Sequence, residues 1–407
     1  MELRYLRIYR MIGNFATSLV GAFIPLIIFQ YTGNLVYSFL YIVLQRIMTV
    51  VFIKLFRKFI YSKPQMMLII RILPILVFEI MTIFIDKSPI LVSAVIGMAY
   101  AFDVCCRQLP CEVIFSYNNL DDSAKSMSIS LTFEQIGDVS AMILGALFLD
   151  QLPIIYLIII SLSLYVISII PLTIFYVKNK NNKTFNKEYV SNALESARVH
   201  KKNSIEKLSN SVVKKYGFQH MFYQGADTFY LILPLVIYLN YGKFIYASIM
   251  TAVYDIVLLI VSPIIGWLDE KYDLSVVNSI ACAVSGITMI AFCFIVSNTN
   301  LFILQCVLTA VISTTSGFPF IITESRMLLK TRVLGNSNKG LESIFCWGAG
   351  ADAIYQSLGF IFPPFVPMIA GGVGLALFSI VNPYIEEKTR KDMVDFIQQN
   401  NNYDELT

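Results

Sequence analysis

Glu134 and Asp138 stand four residues apart in a stretch that is otherwise largely apolar. One helical turn would set both carboxyls on the same face. A charged side chain at the centre of a membrane helix costs at least about 2.5–3.5 kcal/mol on insertion scales. Such a pair therefore needs a cavity, a partner or a proton. Burial disfavours both anions, a like charge nearby disfavours the second further, and the two then titrate jointly. The chemistry this suggests is reversible protonation: a carboxyl takes a proton from one side and gives it to the other as access changes. Arg46 or Arg107, if close, would instead hold the pair ionised as a structural anchor.

Other charges sit deep in apolar runs. Asp103 and Arg107 are again four apart, which predicts an ion pair on one helix face. Asp227, Asp255 and Asp352 complete the deep set, and Asp227 and Asp255 join Glu134 and Asp138 as candidate proton-coupling sites. Arg71, Glu79, Glu112, Glu324 and Glu342 fall nearer the ends of their runs, where snorkelling is expected. Polar and aromatic residues accompany the deep charges. Together they predict a cavity lined by Gln45, Arg46, Asp103, Arg107, Tyr223, Gln224, Tyr254, Trp347 and Asp352. Such a lining suits an amphipathic organic solute. An excess of acids over bases favours cations or protons over anions.

Little else in the sequence offers chemistry. The seven cysteines lie in apolar segments without zinc-ligand spacing, and read as small buried hydrophobes. The two histidines are His200, in a polar stretch, and His220, near a span end. No G-x-x-x-x-G-K-[ST] phosphate loop is present. The expectation is no metal site, no cofactor and no enzymatic activity; a membrane enzyme would need an interfacial set of nucleophile, base or metal ligands.

The elements that must position these residues are membrane helices. Hydrophobic residues make up 57% of the chain, charged residues 14%, and mean hydropathy is +0.67. A soluble chain would carry about a quarter charged residues. Twelve spans are predicted, at about 8–30, 36–55, 65–84, 89–116, 125–149, 152–177, 216–240, 244–267, 275–296, 301–325, 338–361 and 363–384. Only Pro363 and Pro364 divide the last two. The connections after odd-numbered spans hold only Lys87 and Lys243. The opposite side holds Arg4, Arg7, Arg10, Lys54, Arg57, Lys58, Lys63, Arg326, Lys330, Arg332, Lys339, Lys388, Arg390 and Lys391. This bias places both termini in the cytoplasm. Residues 178–215 carry ten Lys or Arg against three Glu. They read as a basic cytoplasmic linker attracted to anionic headgroups, with an amphipathic helix in its later part and no nucleic-acid partner. The expected division is a bundle at 1–177, that linker, a second bundle at 216–384, and a polar, partly disordered tail at 385–407.

The two bundles share a repeat. Residues 25–37 read PLIIFQYTGNLVY and residues 234–246 read PLVIYLNYGKFIY, 209 residues apart with no gap. Pro25 matches Pro234, Gly33 matches Gly242 and Tyr37 matches Tyr246. At the same offset Arg46 matches Asp255. Internal repeats of this kind mark secondary transporters.

With the basic central loop, this pattern resembles the major facilitator superfamily. A loop motif of that family, G-x-L-x-D-R-x-G-R, is echoed at residues 266–273, GWLDEKYD. Gly266 and Leu268 match, Glu270 stands for the acid and Lys271 for the base. Asp273 and Leu274 replace the later glycine and basic residue. The first-half loop, IKLFRKFIYSK, keeps Leu55, Lys58 and Lys63 but no acid. Residues 137–146, GDVSAMILGA, keep the small positions of an antiporter motif at Gly137, Ala141, Gly145 and Ala146, with Met142 in place of proline. Small residues also pack helices closely in lipid.

The resemblance implies an all-α membrane fold of twelve helices in two pseudo-symmetric six-helix bundles, working as a monomer in the cytoplasmic membrane by alternating access. Gly266, Leu268, Glu270 and Lys271 would form a gate latch. The expected function is proton-coupled export of an amphipathic or cationic small molecule. Nutrient uptake of a sugar, amino acid or peptide, and a transport-inactive scaffold or sensor, are the alternatives.

Overall fold

The computed structural model describes residues 3–118, 123–179, 199–334 and 337–404, and among these every regular element is helical. The first half runs α1 (Arg4–Gly21, then Ile24–Thr32), α2 (Leu35–Ser62), α3 (Pro64–Ile70, then Ile72–Thr82), α4 (Pro89–Asn118), α5 (Ser123–Leu149) and α6 (Ile154–Asn179). The second runs α7 (Val199–Tyr223, then Gly225–Tyr241), α8 (Phe244–Lys271), α9 (Ser275–Ile295), α10 (Phe302–Phe318, a π-helical turn Pro319–Thr323, then Glu324–Val333), α11 (Ser337–Ser357) and α12 (Phe365–Asp404). Eleven stretches within these helices are long and apolar enough to cross a membrane. The exception is α11, whose Lys339, Glu342 and Asp352 lower its hydropathy. The structure has the expected all-helical membrane fold, with twelve helices in order.

Local sequence explains the breaks. Proline cannot donate to the carbonyl four residues back. Pro25 thus frees the carbonyl of Gly21, and Pro74 that of Ile70, where α1 and α3 are interrupted. The repeat is explicit at the ends of α1 and α7. Gly33 at φ 65° and Gly242 at φ 70° cap them in the left-handed conformation, and are the positive-φ glycines among the described residues. Asn34 then caps α2, its side chain accepting from the Val36 amide at 2.9 Å. Each half folds back through the same turn, which defines one end of the molecule, here the glycine end. The basic end lies opposite.

One expectation changes. The tail predicted as partly disordered continues α12 to Asp404. Glu386 accepts from Tyr216 and Lys330, each at 2.7 Å, and Lys215 pairs with Asp392. The tail is thereby fastened to the start of the second half. Of the basic stretch at 178–215, residues 180–198 lie outside the described residues. From Val199 the chain is helical and runs directly into the seventh span.

Within the halves, α1 packs on α5 and α6, α2 on α4, α8 on α10, and α9 and α7 on α12. Between the halves, α2 packs on α11 and α5 on α8, two contacts that the repeat relates to each other. Gly137 and Gly145 of α5 lie against α1. A Cβ there would meet the Met11 carbonyl at 2.5 Å and the Leu19 carbonyl at 2.8 Å. Close packing therefore accounts for the small residues of this segment. Ile159, Val166, Ile170, Ile287, Phe294 and Ile303 stand exposed on outer faces, as a hydrocarbon environment allows.

The caps generate a prediction. No atom lies within 4 Å of the Cβ position at Gly33 or Gly242, so alanine there carries only the backbone penalty. Gly33→Ala and Gly242→Ala should each destabilise by about 1 kcal/mol, read as a lowered melting temperature of the purified protein. Asparagine, which tolerates this conformation, should recover part of the loss.

Candidate functional site

A cavity of about 350 Å³ lies between the halves. Asn14 and Ser18 of α1, Gln45 and Arg46 of α2, Tyr100 and Arg107 of α4, and Glu134 and Asp138 of α5 line one side. His220, Gln224 and Asp227 of α7, Tyr254 and Asp255 of α8, and Glu324 of α10 line the other. The halves meet at both ends of it. Towards the glycine end, Phe23 and Phe244 stack edge-on at 6.0 Å and the Ser248 hydroxyl donates to the Met142 carbonyl at 2.6 Å. Towards the basic end, Arg57 pairs with Glu342 at 2.8 Å, and Leu341 packs with Ile53, Cys105 and Leu109.

The first half holds a continuous ion network. Arg71 is fully buried, donates from Nε to Asp103 at 2.6 Å and reaches the Gly13 carbonyl at 3.3 Å. Arg107 bridges Asp103 at 3.5 Å and Glu134 at 3.4 Å, and also bonds Asn14. Arg10 pairs with Glu112 at 2.5 Å and with Glu134. Glu134 is thus clamped between two guanidinium groups. Asp138, one turn along, has the Ser18 hydroxyl at 2.6 Å and among the described residues no ion pair.

The second half is arranged differently. Asp352 accepts from Thr228 at 2.9 Å and from Gln224 at 3.1 Å, and lies 3.2 Å from Arg46 of the opposite half. The same Gln224 amide nitrogen also donates to Asp227. Asp255 is fully buried with Tyr230 donating to it at 3.1 Å, and its other oxygen has no hydrogen bond. Tyr223 donates to Glu324 at 2.9 Å, with its hydroxyl also against His220.

Most residues expected in the cavity line it; four stand back. Asp103 turns to Arg71, Asp352 lies behind Gln224, and Tyr223 is boxed by Phe320 and Phe378. Trp347 is 38% exposed and packs on Gly217, away from the cavity. The snorkelling expected for Arg71, Glu79 and Glu324 does not occur; all three are buried, and Glu79 accepts from Ser161 at 2.5 Å. Arg10, grouped with the flanking bases in the sequence, is 2% exposed inside α1. His220 and Glu324 are cavity residues that the sequence reading passed over. Their signal was faint: each lies near the polar end of its apolar run. The cysteines are free, five buried and two half-buried.

At the GWLDEKYD turn, Lys271 stacks on Trp267 at 4.0 Å rather than reaching another helix, and the Glu270 side chain lies outside the described residues. Gly266 and Leu268 sit in the last turns of α8, with Leu268 packed against the Ile265–Ile321 cluster. The ion pairs here are made by Arg326 of α10 with Asp269 at 3.1 Å and Asp273 at 3.0 Å. Ser275 and Arg326 hold the Asp273 carboxyl below its usual range, so this link is present at neutral pH and is lost in acid.

A family profile described as Major Facilitator Superfamily matches residues 113–338. No curated protein matches the chain by sequence. Among solved structures, a bacterial homologue of the iron transporter ferroportin in an outward-facing state aligns with TM-score 0.64 at 13% identity, covering 94% of this chain and 99% of that one. The Major Facilitator Superfamily transporter FucP in its outward conformation aligns with TM-score 0.61 at 14% identity, covering 94% and 99%. A variant of the E. coli fucose:proton symporter FucP aligns with TM-score 0.56 at 11% identity, covering 94% and 98%.

The ion network predicts an uneven stability map. Removing one partner of a buried pair costs about 3–5 kcal/mol because the other charge is stranded. Arg71→Met should therefore sharply lower the melting temperature, and Arg71→Met with Asp103→Asn should recover much of the loss. Arg46→Met should cost less, because Asp352 keeps Thr228 and Gln224. Thermal unfolding of the three purified variants checks the order.

Proposed function

The chain belongs to the Major Facilitator Superfamily, and on that premise we propose that it exports an amphipathic or cationic small molecule in exchange for protons. The observation that carries this reading is an acid surplus facing the cavity. Glu112, Glu134, Asp138, Asp227, Asp255 and Glu324 line it against Arg10, Arg46 and Arg107. Arg10 and Arg107 are taken up by Glu112 and Glu134, and Arg46 by Asp352. Asp138, Asp227, Asp255 and Glu324 are left without an ion pair among the described residues. A cavity with this balance attracts cations and repels anions. The faces of Tyr41, Tyr100, Tyr230 and Tyr254 offer an organic cation apolar area and π-electron density.

The same carboxyls supply a coupling mechanism. Asp138 and Asp255 line the same cavity on the packed helices α5 and α8, so two anions there would repel across the halves. A proton or a bound cation between them removes the repulsion. Two ligands that neutralise one site compete for it, and competition across alternating access is antiport. Glu134 is the anchor of this arrangement rather than its proton carrier, because two arginines hold it ionised.

A second reading is nutrient uptake. It draws on the amides of Asn14, Gln45, Gln108, Gln135 and Gln224 in the lining, a set able to bond a neutral hydroxylated solute, and on the likeness to a fucose:proton symporter.

The test is flux in proteoliposomes under an imposed pH gradient, with quaternary and lipophilic cations beside sugars and amino acids. Gradient-driven cation efflux is expected. Asp138→Asn should lose accumulation against a gradient yet keep exchange, whereas Glu134→Gln should lose folded protein. Retention of gradient-driven transport with the original pH dependence in both Asp138→Asn and Asp255→Asn would sink the coupling assignment. At the gate, Arg326→Glu should reduce flux without preventing membrane insertion, and Lys271→Glu should have the smaller effect.

A further inference from the structure

One wall of the cavity holds a buried chain of three residues, of which the antiport reading uses only the charge of Glu324. The Tyr223 hydroxyl lies 2.9 Å from Glu324 Oε1 and in hydrogen-bond contact with His220 Nδ1. His220 is 3% exposed, Glu324 9%, and Tyr223 fully buried. His220 and Glu324 both line the cavity, and Tyr223 stands behind them. Glu324 is the first residue after the π-helical turn Pro319–Thr323. Such turns re-aim a side chain within a helix and recur at functional sites.

The surrounding polar atoms favour one tautomer of the imidazole. The Gln224 amide nitrogen donates to both Asp227 and Asp352. Those two carboxyls set the orientation of the amide, and its oxygen is left buried with no donor. A Cβ at Gly348 would meet His220 Nε2 at 2.9 Å and Gln224 Oε1 at 3.1 Å, so the two atoms converge on one point. With the neutral proton on Nε2, on the side of that unpaired oxygen, Nδ1 is an acceptor facing Tyr223. One hydroxyl proton then stands between two acceptors. It can serve only one, so the second contact requires a second proton.

Two arrangements fill both contacts. In one, protonated Glu324 donates to the tyrosine oxygen and the tyrosine hydroxyl donates to Nδ1. In the other, the imidazolium donates from Nδ1 to the tyrosine oxygen and the hydroxyl donates to the Glu324 carboxylate. They interconvert when the carboxyl O–H breaks as a tyrosine O–H forms, and the original tyrosine O–H breaks as N–H forms at Nδ1. One proton passes from Glu324 to His220, the tyrosine ends neutral, and nothing is oxidised or reduced.

We propose that Glu324, Tyr223 and His220 form a proton relay with both ends on the central cavity. Its purpose rests on the proton coupling proposed above; its geometry does not. The groups that face it are few. Glu324 of α10 shares the cavity lining with Asp227 of α7 and, from the other half, Glu112 of α4, the latter held by Arg10. From α11, His220 meets Gly348, with Asp352 one turn further along. From α12 come Phe378 against Tyr223 and Asn382 against Gln219, with Glu386 beyond, held by Tyr216 and Lys330.

The chain has two histidines, so His200→Ala leaves His220 as the single imidazole. Nitrogen-labelled histidine in the full chain, in lipid nanodiscs without substrate, reports tautomer and charge by NMR. The expected neutral form carries its proton on Nε2 with Nδ1 accepting. The added proton is shared between the two arrangements, so on acidification the imidazolium signal and one buried carboxylic-acid C=O band in the infrared should grow in together, with a single midpoint. Glu324→Gln and Tyr223→Phe should each cut the imidazolium population at a given pH by about tenfold. An Nδ1–H tautomer, or separate midpoints for the imidazole and the carboxyl, would overturn the relay, and neither reading needs a variant within it. A change of less than about twofold in both variants would do the same. Transport without pH dependence would remove the coupling of the preceding subsection while leaving this titration untouched.

Discussion

Hydrocarbon tolerates a charge only when something compensates it, and this constraint orders the whole interior. An unpaired ion at the centre of a membrane helix costs several kcal/mol. The first half meets the constraint internally. Arg10, Arg71 and Arg107 come from three helices and are matched by Asp103, Glu112 and Glu134. The network ties α1, α3, α4 and α5 into one body. Because each arginine touches an acid of another helix, none of these helices can shift alone without stranding a charge. The network is therefore a reason for the half to move as a rigid unit.

In its interior the second half supplies no base of its own to its acids among the described residues; Asp352 borrows Arg46 from the first half. Hydroxyls and amides do the work instead: Tyr230 on Asp255, Thr228 and Gln224 on Asp352, Tyr223 on Glu324. Neutral donors stabilise a carboxylate less than a guanidinium does. They also accommodate the protonated form, because a hydroxyl can accept as well as donate. The contrast assigns the halves different physical jobs. The first is largely a scaffold of paired charge; the second holds its buried acids mostly on neutral donors.

The repeat was legible because it rests on local chemistry. Gly33 and Gly242 carry the left-handed caps that only the backbone at those positions demands, and Pro25 and Pro234 sit at matching places before them. The span count was legible for the same reason, since hydropathy is a local property. Charge partners were not. Arg71 and Asp103 are 32 residues apart, and Arg10 and Glu134 are 124 apart. Helix position alone made Arg71 look like an end-of-span residue and Arg10 like a flanking base. Asp103 and Arg107 were paired correctly because they share one helix face. Trp347 shows the converse error: an aromatic beside polar residues can as well face outward, and which side of α11 it occupies depends on where Gly217 lets α7 approach.

The pseudo-twofold relation also explains why the two contacts between the halves are not equivalent. It maps α2 onto α8 and α5 onto α11, so the α2–α11 contact should mirror the α5–α8 contact. At matched positions, however, one has Arg46 and the other Asp255. The first contact consequently holds an attraction, Arg46 to Asp352 at 3.2 Å. The second carries two acids that line the cavity, Asp138 beside Ser18 and Asp255 beside Tyr230, neither with an ion pair among the described residues. An ion pair on one side and acids on neutral donors on the other make two unlike contacts from one duplicated scaffold. The first needs no ligand, whereas the coupling proposed above assigns a proton or a cation to the second. A single change of charge sign within the repeat is thus enough to make two symmetry-related contacts chemically different.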